Sequence, residues 1–206
     1  LYTTGVIESV DEVENYTFSN HTANLTLREG IDVDDRLATC ITGQRLVTSA
    51  YGPPEFFVQL KQGVGLPRVE SELRVESGVI LSATRTMGEK STVFRETGGT
   101  HAAALFSGEG RLLYFSEDVG RHNAVDKVIG AGLLAGQDLE TSLLYLTGRV
   151  SSGIVLKALR AGIPMVASQG AALLGAIRLA RRYRLGLVGF LRGQRFNLYS
   201  GQEWLA

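Results

Sequence analysis

The stretch "SLLYLTGRVSSGIVLKALRAGIPMVAS", residues 142–168, decides the fold of this chain. Its first seven residues form an apolar run that predicts a buried strand. A helix over 152–162 follows, with Ser151 or Ser152 placed to cap its start and Gly162 placed to stop it. The short run "PMVAS" then predicts a second strand. A strand, a helix and a strand in this order indicate a parallel pair covered by a helix.

The same alternation continues on both sides of this unit. Before it, "THAAALFSG" (100–108) and "RLLYFSE" (111–117) are joined by "GEG" and predict a hairpin, and a helix starts near 121. A helix over 68–87 is predicted to precede them, from apolar residues at 69, 73, 80 and 81. After it come the helix "AALLGAIRLARRY" and the strands "LGLVGFL" and "RFNLYS". We therefore predict an α/β fold: a mixed, mostly parallel sheet covered on both faces, with an antiparallel hairpin at one end. Its order of elements resembles the cytidine deaminase-like architecture.

Residues 1–67 predict a separate, smaller and β-rich N-terminal domain. Within it "NYTFSNH" and "TANLTLRE" suit a strand hairpin. The stretch 49–67 carries three of the chain's four prolines, and we expect the domain to end in a mobile loop that includes Cys40 and these prolines and glycines. Residues 68–206 would then be the α/β, cofactor-binding domain. Because the chain starts at Leu1 without a methionine, we expect the N-terminal domain to lack its beginning.

Composition excludes several classes of function. Lys and Arg number 21, as do Asp and Glu, so no overall charge favours nucleic acid or an anionic membrane. No apolar run reaches the roughly 18 residues of a membrane span. The one cysteine excludes a disulfide framework within these residues, and a reducing cytoplasmic setting fits it best.

Polar and glycine-rich segments follow the predicted strands, where open α/β sheets bind ligands. Glycine turns before helices leave N–H groups free for an anion, and arginines supply forked contacts to phosphate. The alternative reading is that each segment is a plain turn. The segments are "TGGTHAA" (97–103), "EDVGRHNAVDK" (117–127), "TGRVSSG" (147–153), "SQGAA" (168–172) and "GFLRGQRFN" (189–197), and the arginines are Arg121, Arg149, Arg192 and Arg195.

Two histidines leave alternatives open. His122 and Asp126 are four residues apart, so an acid could orient an imidazole that acts as a general base. The alternative is a capping and salt-bridge cluster, in which Asp118 binds first-turn amides and Lys127 pairs with an acid. His101 is either a strand histidine with its hydrogen bonds satisfied or a ligand contact.

Zinc-dependent deamination is excluded by the motifs. That chemistry needs His-x-Glu or Cys-x-Glu together with Pro-Cys-x-x-Cys, and neither is present. Cys40, in "LATCITGQ", is either a small buried hydrophobe or an accessible thiol. Arg36 and Arg45 are near it in sequence and would favour the thiolate in the second case.

Four motifs in one order resemble the formate dehydrogenase accessory sulfurtransferase family, of the FdhD type. They are "TGGTHAAALF", "EDVGRHNAVDKVIG", "TGRVSSGIVLKALRAGIPMVAS" and "LGLVGFLRGQRFNLYS", and "LYTTGVIES" resembles the start of the family's N-terminal domain. The resemblance covers nearly the whole chain and is strongest from residue 97 onward.

The resemblance implies a sulfur carrier. Sulfur from a cysteine desulfurase would be held as a persulfide on Cys40, the catalytic residue. It would then pass to the bis-molybdopterin guanine dinucleotide molybdenum cofactor, bound as substrate, before insertion into formate dehydrogenase. GDP would mimic this ligand, no metal site is implied, and the protein would be a homodimer. The residues implied to bind the cofactor are Phe190, Leu191, Arg192, Gly193, Gln194, Arg195, His101, Arg121, His122, Ser151 and Ser152.

One departure from the family pattern concerns the second cysteine. Many members carry Cys-Gly-x-Cys-Gly, whereas this chain has Thr42 or Gly43 where the second cysteine would stand. One thiolate suffices to form a persulfide. Two other hypotheses stay open: a non-catalytic module that binds and delivers the cofactor, and an unrelated nucleotide-binding enzyme that uses His122 as its base.

Overall fold

The computed structural model describes residues 1–19, 22–41, 66 and 68–206, with side chains omitted for 38–41. The chain divides into two compact units, one holding the described residues up to 41 and the other those from 66 onward. The sequence-based boundary at 67 falls on a residue outside the described ranges and stays a prediction. The expected loop over 49–67 lies outside them too, apart from residue 66.

The N-terminal unit contains a two-stranded sheet and a helix. Strands β1 (Val13–Ser19) and β2 (Thr22–Leu27) pair antiparallel, which confirms the predicted hairpin. Helix α1 (Val33–Ile41) was not predicted, and the expectation of a loop at Cys40 is wrong because its backbone is helical. Asp32 accepts a hydrogen bond from the Asp35 N–H at 2.9 Å, so a capping acid starts this helix.

The C-terminal unit is built on a six-stranded mixed sheet in the order β4-β3-β5-β6-β7-β8. Only the β5–β6 and β6–β7 pairs are parallel, and hairpins close both ends of the sheet rather than one. The prediction of a mostly parallel sheet is corrected accordingly. The strands are β3 (His101–Ser107), β4 (Leu112–Asp118), β5 (Ser142–Leu146), β6 (Met165–Ser168), β7 (Gly186–Arg192) and β8 (Arg195–Ser200).

Helices cover both faces of this sheet, as predicted. The helices of this unit are α2 (Ser77–Lys90), α3 (Thr92–Thr97), α4 (Arg121–Leu134), α5 (Ser152–Arg160) and α6 (Leu174–Tyr183). Helix α4 lies over the face that carries Leu105, because a Cβ on Gly132 would stand 3.2 Å from that side chain. Helix α2 lies over the other face, where Thr84 hydrogen-bonds the Tyr145 hydroxyl at 2.8 Å. Leu105 pairs with Leu144, so Tyr145, one residue further along, points to the opposite face.

The predicted helix over 68–87 begins only at Ser77. Residues 68–76 are extended, with buried Val69, Leu73 and Val75 alternating with more exposed residues. The Val69 N–H donates to the Tyr183 carbonyl at 2.9 Å, and the Val75 N–H donates to the Trp204 carbonyl at 2.9 Å. The segment is therefore held by two long-range contacts: Val69 bonds the last residue of α6, and Val75 forms a single parallel bridge with Leu205.

The core is contributed mainly by the central strands. Every residue of β5 and β6 is buried. Helix α4 packs its apolar face against β3 and β4, and α5 packs against β6. None of the described helices is long and apolar enough to cross a membrane. The likeness to the cytidine deaminase-like architecture rests on the order of elements alone and stays a prediction.

Candidate functional site

The polar segments singled out in the sequence meet at one edge of the six-stranded sheet. Strands β5, β6 and β7 run parallel, so their carboxyl ends share that edge. Strand β3 runs opposite to β5, and its first residue, His101, stands in register with Asp118 at the end of β4. The loops after β4, β5, β6 and β7 therefore lie side by side, and we call this set the carboxyl edge.

Two arginines without an acidic partner lie at the carboxyl edge. Arg121 starts α4 and is half-buried, and its Nε atom is buried without a hydrogen-bond partner in the part of the chain that the structure describes. Burial lowers the pKa of Arg121, and the neighbouring charge of Arg149 lowers it further. The four ion pairs found among the described residues use neither arginine. Two like charges held together without a counter-charge make this edge attractive to an anion.

Gly148 brings Arg121 and His101 close to the turn after β5. A Cβ on Gly148 would stand 2.9 Å from the Cβ and Cδ atoms of Arg121 and 3.3 Å from the His101 Nδ1 atom. Burial lowers the pKa of His101, and the charges of Arg121 and Arg149 lower it further. His101 is therefore neutral at neutral pH and lies against the two arginines.

His122 and Ser151 join the first turns of two helices. The Ser151 hydroxyl is 3.3 Å from the His122 Nε2 atom, and Ser151 is fully buried. Burial lowers the pKa of His122 to about 4, helped by the charges of Lys157 and Arg121. Ser151 occupies the N-cap position of α5, as one of the two predicted serines, but its side chain does not make the capping hydrogen bond. The hydroxyl is used to hold the imidazole instead.

The acids near His122 support the capping alternative. Asp118 accepts hydrogen bonds from the Gly120 N–H at 2.8 Å and from Asn123 at 3.1 Å, and Lys127 pairs with it at 2.7 Å. The hydrogen bond from Lys127 lowers the pKa of Asp118. Asp126 pairs with the buried Lys157 of α5.

The imidazole is not oriented by an acid. The Nδ1 atom of His122 is buried and has no hydrogen-bond partner among the described residues. Asp126 was expected to orient this imidazole; it makes no hydrogen bond to Nδ1, and it acts on His122 through its charge, which raises the pKa of the imidazole. This weakens the hypothesis of an enzyme with His122 as its base.

Glycines let the turns of the carboxyl edge pack backbone to backbone. A Cβ on Gly170 would stand 2.7 Å from the Arg149 nitrogen and 2.7 Å from the Gly148 carbonyl carbon. A Cβ on Gly153 would stand 3.1 Å from the His122 ring, and one on Gly175 would stand 2.5 Å from the Ser152 hydroxyl. These close approaches explain why the segments after β5 and β6 are rich in glycine.

The turn between β7 and β8 completes the carboxyl edge. Phe190 adopts a left-handed backbone with φ of 54°, and its N–H donates to the Gly170 carbonyl at 3.0 Å. Arg192 and Arg195 stand directly opposite each other, a placement that is unfavourable for like charges unless an anion lies near. Gly193 is left-handed with φ of 59°, and Gln194 is exposed. Leu191 differs from the others, because its side chain is buried in the core and only its backbone could face a ligand.

A cavity that the sequence analysis did not select lies beside His101. It has a volume of about 500 Å³, is open to solvent on one side, and is lined by the junction of α2 and α3 and by the turns after β5 and β6. Phe94 and Arg95 come from α3, Thr100 precedes β3, and Gln169 follows β6. Helix α3 was not predicted, so Phe94 and Arg95 were not candidates, whereas Thr100 and Gln169 lie in the polar segments 97–103 and 168–172.

The thiol of Cys40 is outside the side chains that the structure describes, so its relation to the carboxyl edge stays a prediction. Among the described residues, no three His, Cys, Asp or Glu side chains stand where they could hold a metal ion.

Helices on both faces of a mixed sheet, with unpaired arginines and glycine turns at one edge, define an α/β protein with a cationic edge suited to anions. The chain belongs to the FdhD/NarQ family, whose model matches residues 1–206. This confirms the family resemblance that the four motifs indicated.

Similar proteins agree with this membership. The chain is 37% identical to the sulfur carrier protein FdhD of Thermoplasma acidophilum, over 98% of this chain and 72% of that protein. It is 34% identical to the protein of the same name from Methanothermobacter thermautotrophicus, over 97% of this chain and 75% of that one. A crystal structure assigned as a formate dehydrogenase accessory protein, from Desulfotalea psychrophila, matches with a TM-score of 0.77 and 27% identity. That match covers 100% of this chain and 76% of the other.

Proposed function

We propose that this protein is a sulfur carrier for formate dehydrogenase maturation. It would take sulfur from a cysteine desulfurase and pass it to the molybdenum of the bis-molybdopterin guanine dinucleotide cofactor, which it binds as a substrate. The single observation that carries the binding half of this proposal is the unpaired Arg121 beside Arg149 at the carboxyl edge. The names of the relatives, sulfur carrier protein FdhD, support the transfer half.

The carboxyl edge suits the phosphates of such a ligand. Guanidinium groups bind phosphate oxygens through paired hydrogen bonds, and an anion would relieve the repulsion between Arg121 and Arg149. Ser152 stands at the first turn of α5, where free N–H groups and the helix dipole add to the attraction. Arg192 and Arg195 would contact a further part of the same ligand. GDP is the natural probe, because it carries both a guanine and a diphosphate.

Cys40 is the only cysteine of the chain and would hold the sulfur. Its thiolate would attack the outer sulfur of the desulfurase persulfide, the donor S–S bond would break, and the donor cysteine would leave as a thiolate. Transfer of that outer sulfur to Mo(IV) would give a sulfido ligand on Mo(VI), with two electrons passing from the metal to the sulfur. The Cys40 thiolate would be regenerated in the same step.

A second candidate is binding and delivery of the cofactor without sulfur transfer. The observation that favours it is that the described groups of the carboxyl edge are binding groups, while Thr42 or Gly43 stands where many members have a second cysteine. Under either candidate we propose a cytoplasmic homodimer that contacts formate dehydrogenase.

Intact mass separates the two candidates. The protein and its Cys40→Ala variant are incubated with a cysteine desulfurase and free cysteine, and each is weighed before and after reduction. The sulfur-carrier proposal expects the wild type alone to gain one sulfur atom, which a reductant removes. No adduct on the wild type, or an equal adduct on Cys40→Ala, would reject Cys40 as the carrier and leave binding and delivery.

A further inference from the structure

We propose that the cavity beside His101 binds a neutral, planar heterocyclic ring at one end of the ligand whose phosphates occupy the carboxyl edge. The inference rests on the proposed function, since it assigns a second part of the same ligand. It adds a binding site made by α2, α3 and the start of β3, which the glycine-rich turns of the sequence did not reveal.

The size and lining of the cavity suit one nucleoside-sized group. Its volume of about 500 Å³ falls within the usual range for small-molecule sites. Phe94 lines it and is 50% exposed, so one aromatic ring is free to stack on a planar ligand. Thr100 and Gln169 bring polar groups to the same wall. An aromatic surface with a few polar groups is typical of sites for flat heterocycles.

The charges around the cavity favour a neutral group over a phosphate. Arg95 lines the cavity, but its guanidinium donates to the carbonyls of Gly88 and Glu89 at 2.7 and 2.9 Å, at the end of α2. His101 is neutral at neutral pH because burial and two arginine charges lower its pKa. No Asp or Glu is among the described residues that line the cavity. Arg95 keeps its charge, but its Nη1 donors are used by these two carbonyls, whereas the buried guanidinium nitrogen without a partner among the described residues belongs to Arg121.

The corner that carries Phe94 is held in place before a ligand arrives. The Glu117 carboxylate accepts hydrogen bonds from the Val93 and Phe94 N–H groups at 3.0 and 2.8 Å, and from the Thr100 hydroxyl at 2.8 Å. Burial works against the ionised carboxylate, yet these hydrogen bonds leave the pKa of Glu117 lowered. Glu117 is therefore a positioning residue for the cavity wall, and little conformational entropy would be lost there on binding.

The position of the cavity fits an extended ligand. It opens at the start of β3 and the carboxyl ends of β5 and β6, whereas Arg192 and Arg195 lie at the hairpin of β7 and β8. Three strand spacings separate β3 from β7, which is roughly 14 Å along the edge. A ligand with a ring at each end and phosphates between them could reach across that distance. Both guanine and pterin rings carry the same amino-pyrimidinone face, so either ring of the proposed substrate has the required chemistry.

Calorimetry on the full chain with three small probes tests the assignment. Guanosine and 6-hydroxymethylpterin carry a ring without phosphate, and inorganic pyrophosphate carries phosphate without a ring. The variant Phe94→Ala is compared with Val93→Ala, a neighbour of similar exposure that does not line the cavity. We expect Phe94→Ala to weaken binding of one ring probe about tenfold, as base stacking on an aromatic residue predicts. Val93→Ala should leave it unchanged, and neither variant should alter pyrophosphate binding.

Gln169→Leu is a second variant of a cavity-lining residue, so the assignment can still be tested if Phe94→Ala does not fold. Preference for guanosine assigns the guanine end to the cavity, and preference for the pterin assigns the other end. If neither ring probe binds, or if both cavity variants bind them like wild type, the cavity assignment is wrong. In that case pyrophosphate binding that is lost in Arg121→Ala would still support the proposed function. If the wild type binds neither the ring probes nor pyrophosphate, both the cavity assignment and the proposed function are rejected.

Discussion

The hydroxyl of Ser151 lies 3.3 Å from the Nε2 atom of His122, and this contact joins the first turn of α4 to the start of α5. Both groups are enclosed, because Ser151 is fully buried and His122 is largely desolvated. The contact fixes the two helix ends that flank Arg121 and the glycine turn after β5. The hydrogen bond between Ser151 and His122 involves a neutral imidazole, because burial and nearby positive charges lower the pKa of His122.

The first prediction concerns the titration of His122. We expect its imidazole to titrate near pH 4, well below the ordinary value of 6.5. The unfolded chain takes up this proton below about pH 6.5 and the folded protein only near pH 4. The folded state therefore loses stability as the pH falls from 6.5 to 4, by roughly 2 kcal/mol from this group once the partial exposure of the imidazole is allowed for. Histidine NMR shifts measure the midpoint, and urea unfolding at several pH values measures the loss.

His122→Gln is the control for that measurement. Other groups also destabilise the protein in acid, since the pKa values of Asp118 and Glu117 are lowered. The variant keeps those groups and removes the imidazole, so its free energy of unfolding should fall less between pH 6.5 and pH 4. A His122 midpoint near 6.5, or identical pH profiles for the two proteins, would show that the imidazole is not buried as described.

The second prediction concerns the ion pair of Asp126 and Lys157. Lys157 is only 7% exposed, so removing its partner leaves a charge that water reaches poorly. Asp126→Asn should therefore cost roughly 2 kcal/mol of the free energy of unfolding, less than for a fully buried pair because the carboxylate is partly exposed. Lys157→Met should cost less, since it removes the buried charge itself. Urea unfolding checks the order of the two costs, and a larger loss in Lys157→Met would contradict it.

The third prediction concerns the packed turns of the carboxyl edge. In Gly170→Ala the new methyl group would meet backbone atoms of Gly148 and Arg149, which cannot move independently. We expect a loss of at least about 2 kcal/mol in the free energy of unfolding and weaker binding of pyrophosphate. Gly130→Ala in α4 is the matched control, because nothing lies within 4 Å of its new methyl group. It should stabilise the protein by about 0.5–1 kcal/mol, since alanine favours a helix. Equal effects of the two changes would argue against the close packing.

The fourth prediction concerns anion binding by Arg121. Arg121→Ala should weaken pyrophosphate and GDP binding at least tenfold without lowering stability, because it also removes the repulsion with Arg149. Arg111→Ala makes the same charge change at the far end of β4, directly before Leu112, and should bind both ligands like wild type. Calorimetry at two salt concentrations checks the difference. A similar loss in both variants would indicate a general charge effect instead of a site.

Secondary structure was predictable where the pattern of apolar residues along a segment fits only one kind of element. The fully buried strands β5 and β6 and the helix between them follow directly from the apolar runs and the glycine stop of residues 142–168. The segment 68–76 was predicted to be helical because Val69 and Leu73, four residues apart, continue the spacing of the apolar residues at 80 and 81. In the structure Val69, Leu73 and Val75 are buried. Their alternating burial comes from hydrogen bonds to Tyr183 and Trp204, more than a hundred residues away. Helix α1 has acidic residues in its first turn, Asp34 and Asp35, which favour a helix start. This local signal was not used, because residues 1 to 50 were interpreted as strands.

The carboxyl edge was predictable in outline because parallel strands end at the same side of a sheet. The roles of its residues were not. Ser151 was expected to cap α5, yet it holds His122, and Asp126 was expected to orient His122, yet it pairs with Lys157. Each choice depends on the distance between side chains on different helices, which spacing along one helix does not contain.

The sequence by itself determined the alternation of strands and helices, the family, the polar segments of the edge and the single cysteine that could carry sulfur. These follow from local periodicity, from turn chemistry and from motifs that keep their order. The tertiary structure alone decided which arginines lack a counter-charge, that burial lowers the pKa of both His101 and His122, and that α2 and α3 line a cavity beside His101. Burial, like-charge proximity and enclosed volume arise only when distant segments pack together, so no stretch of sequence records them.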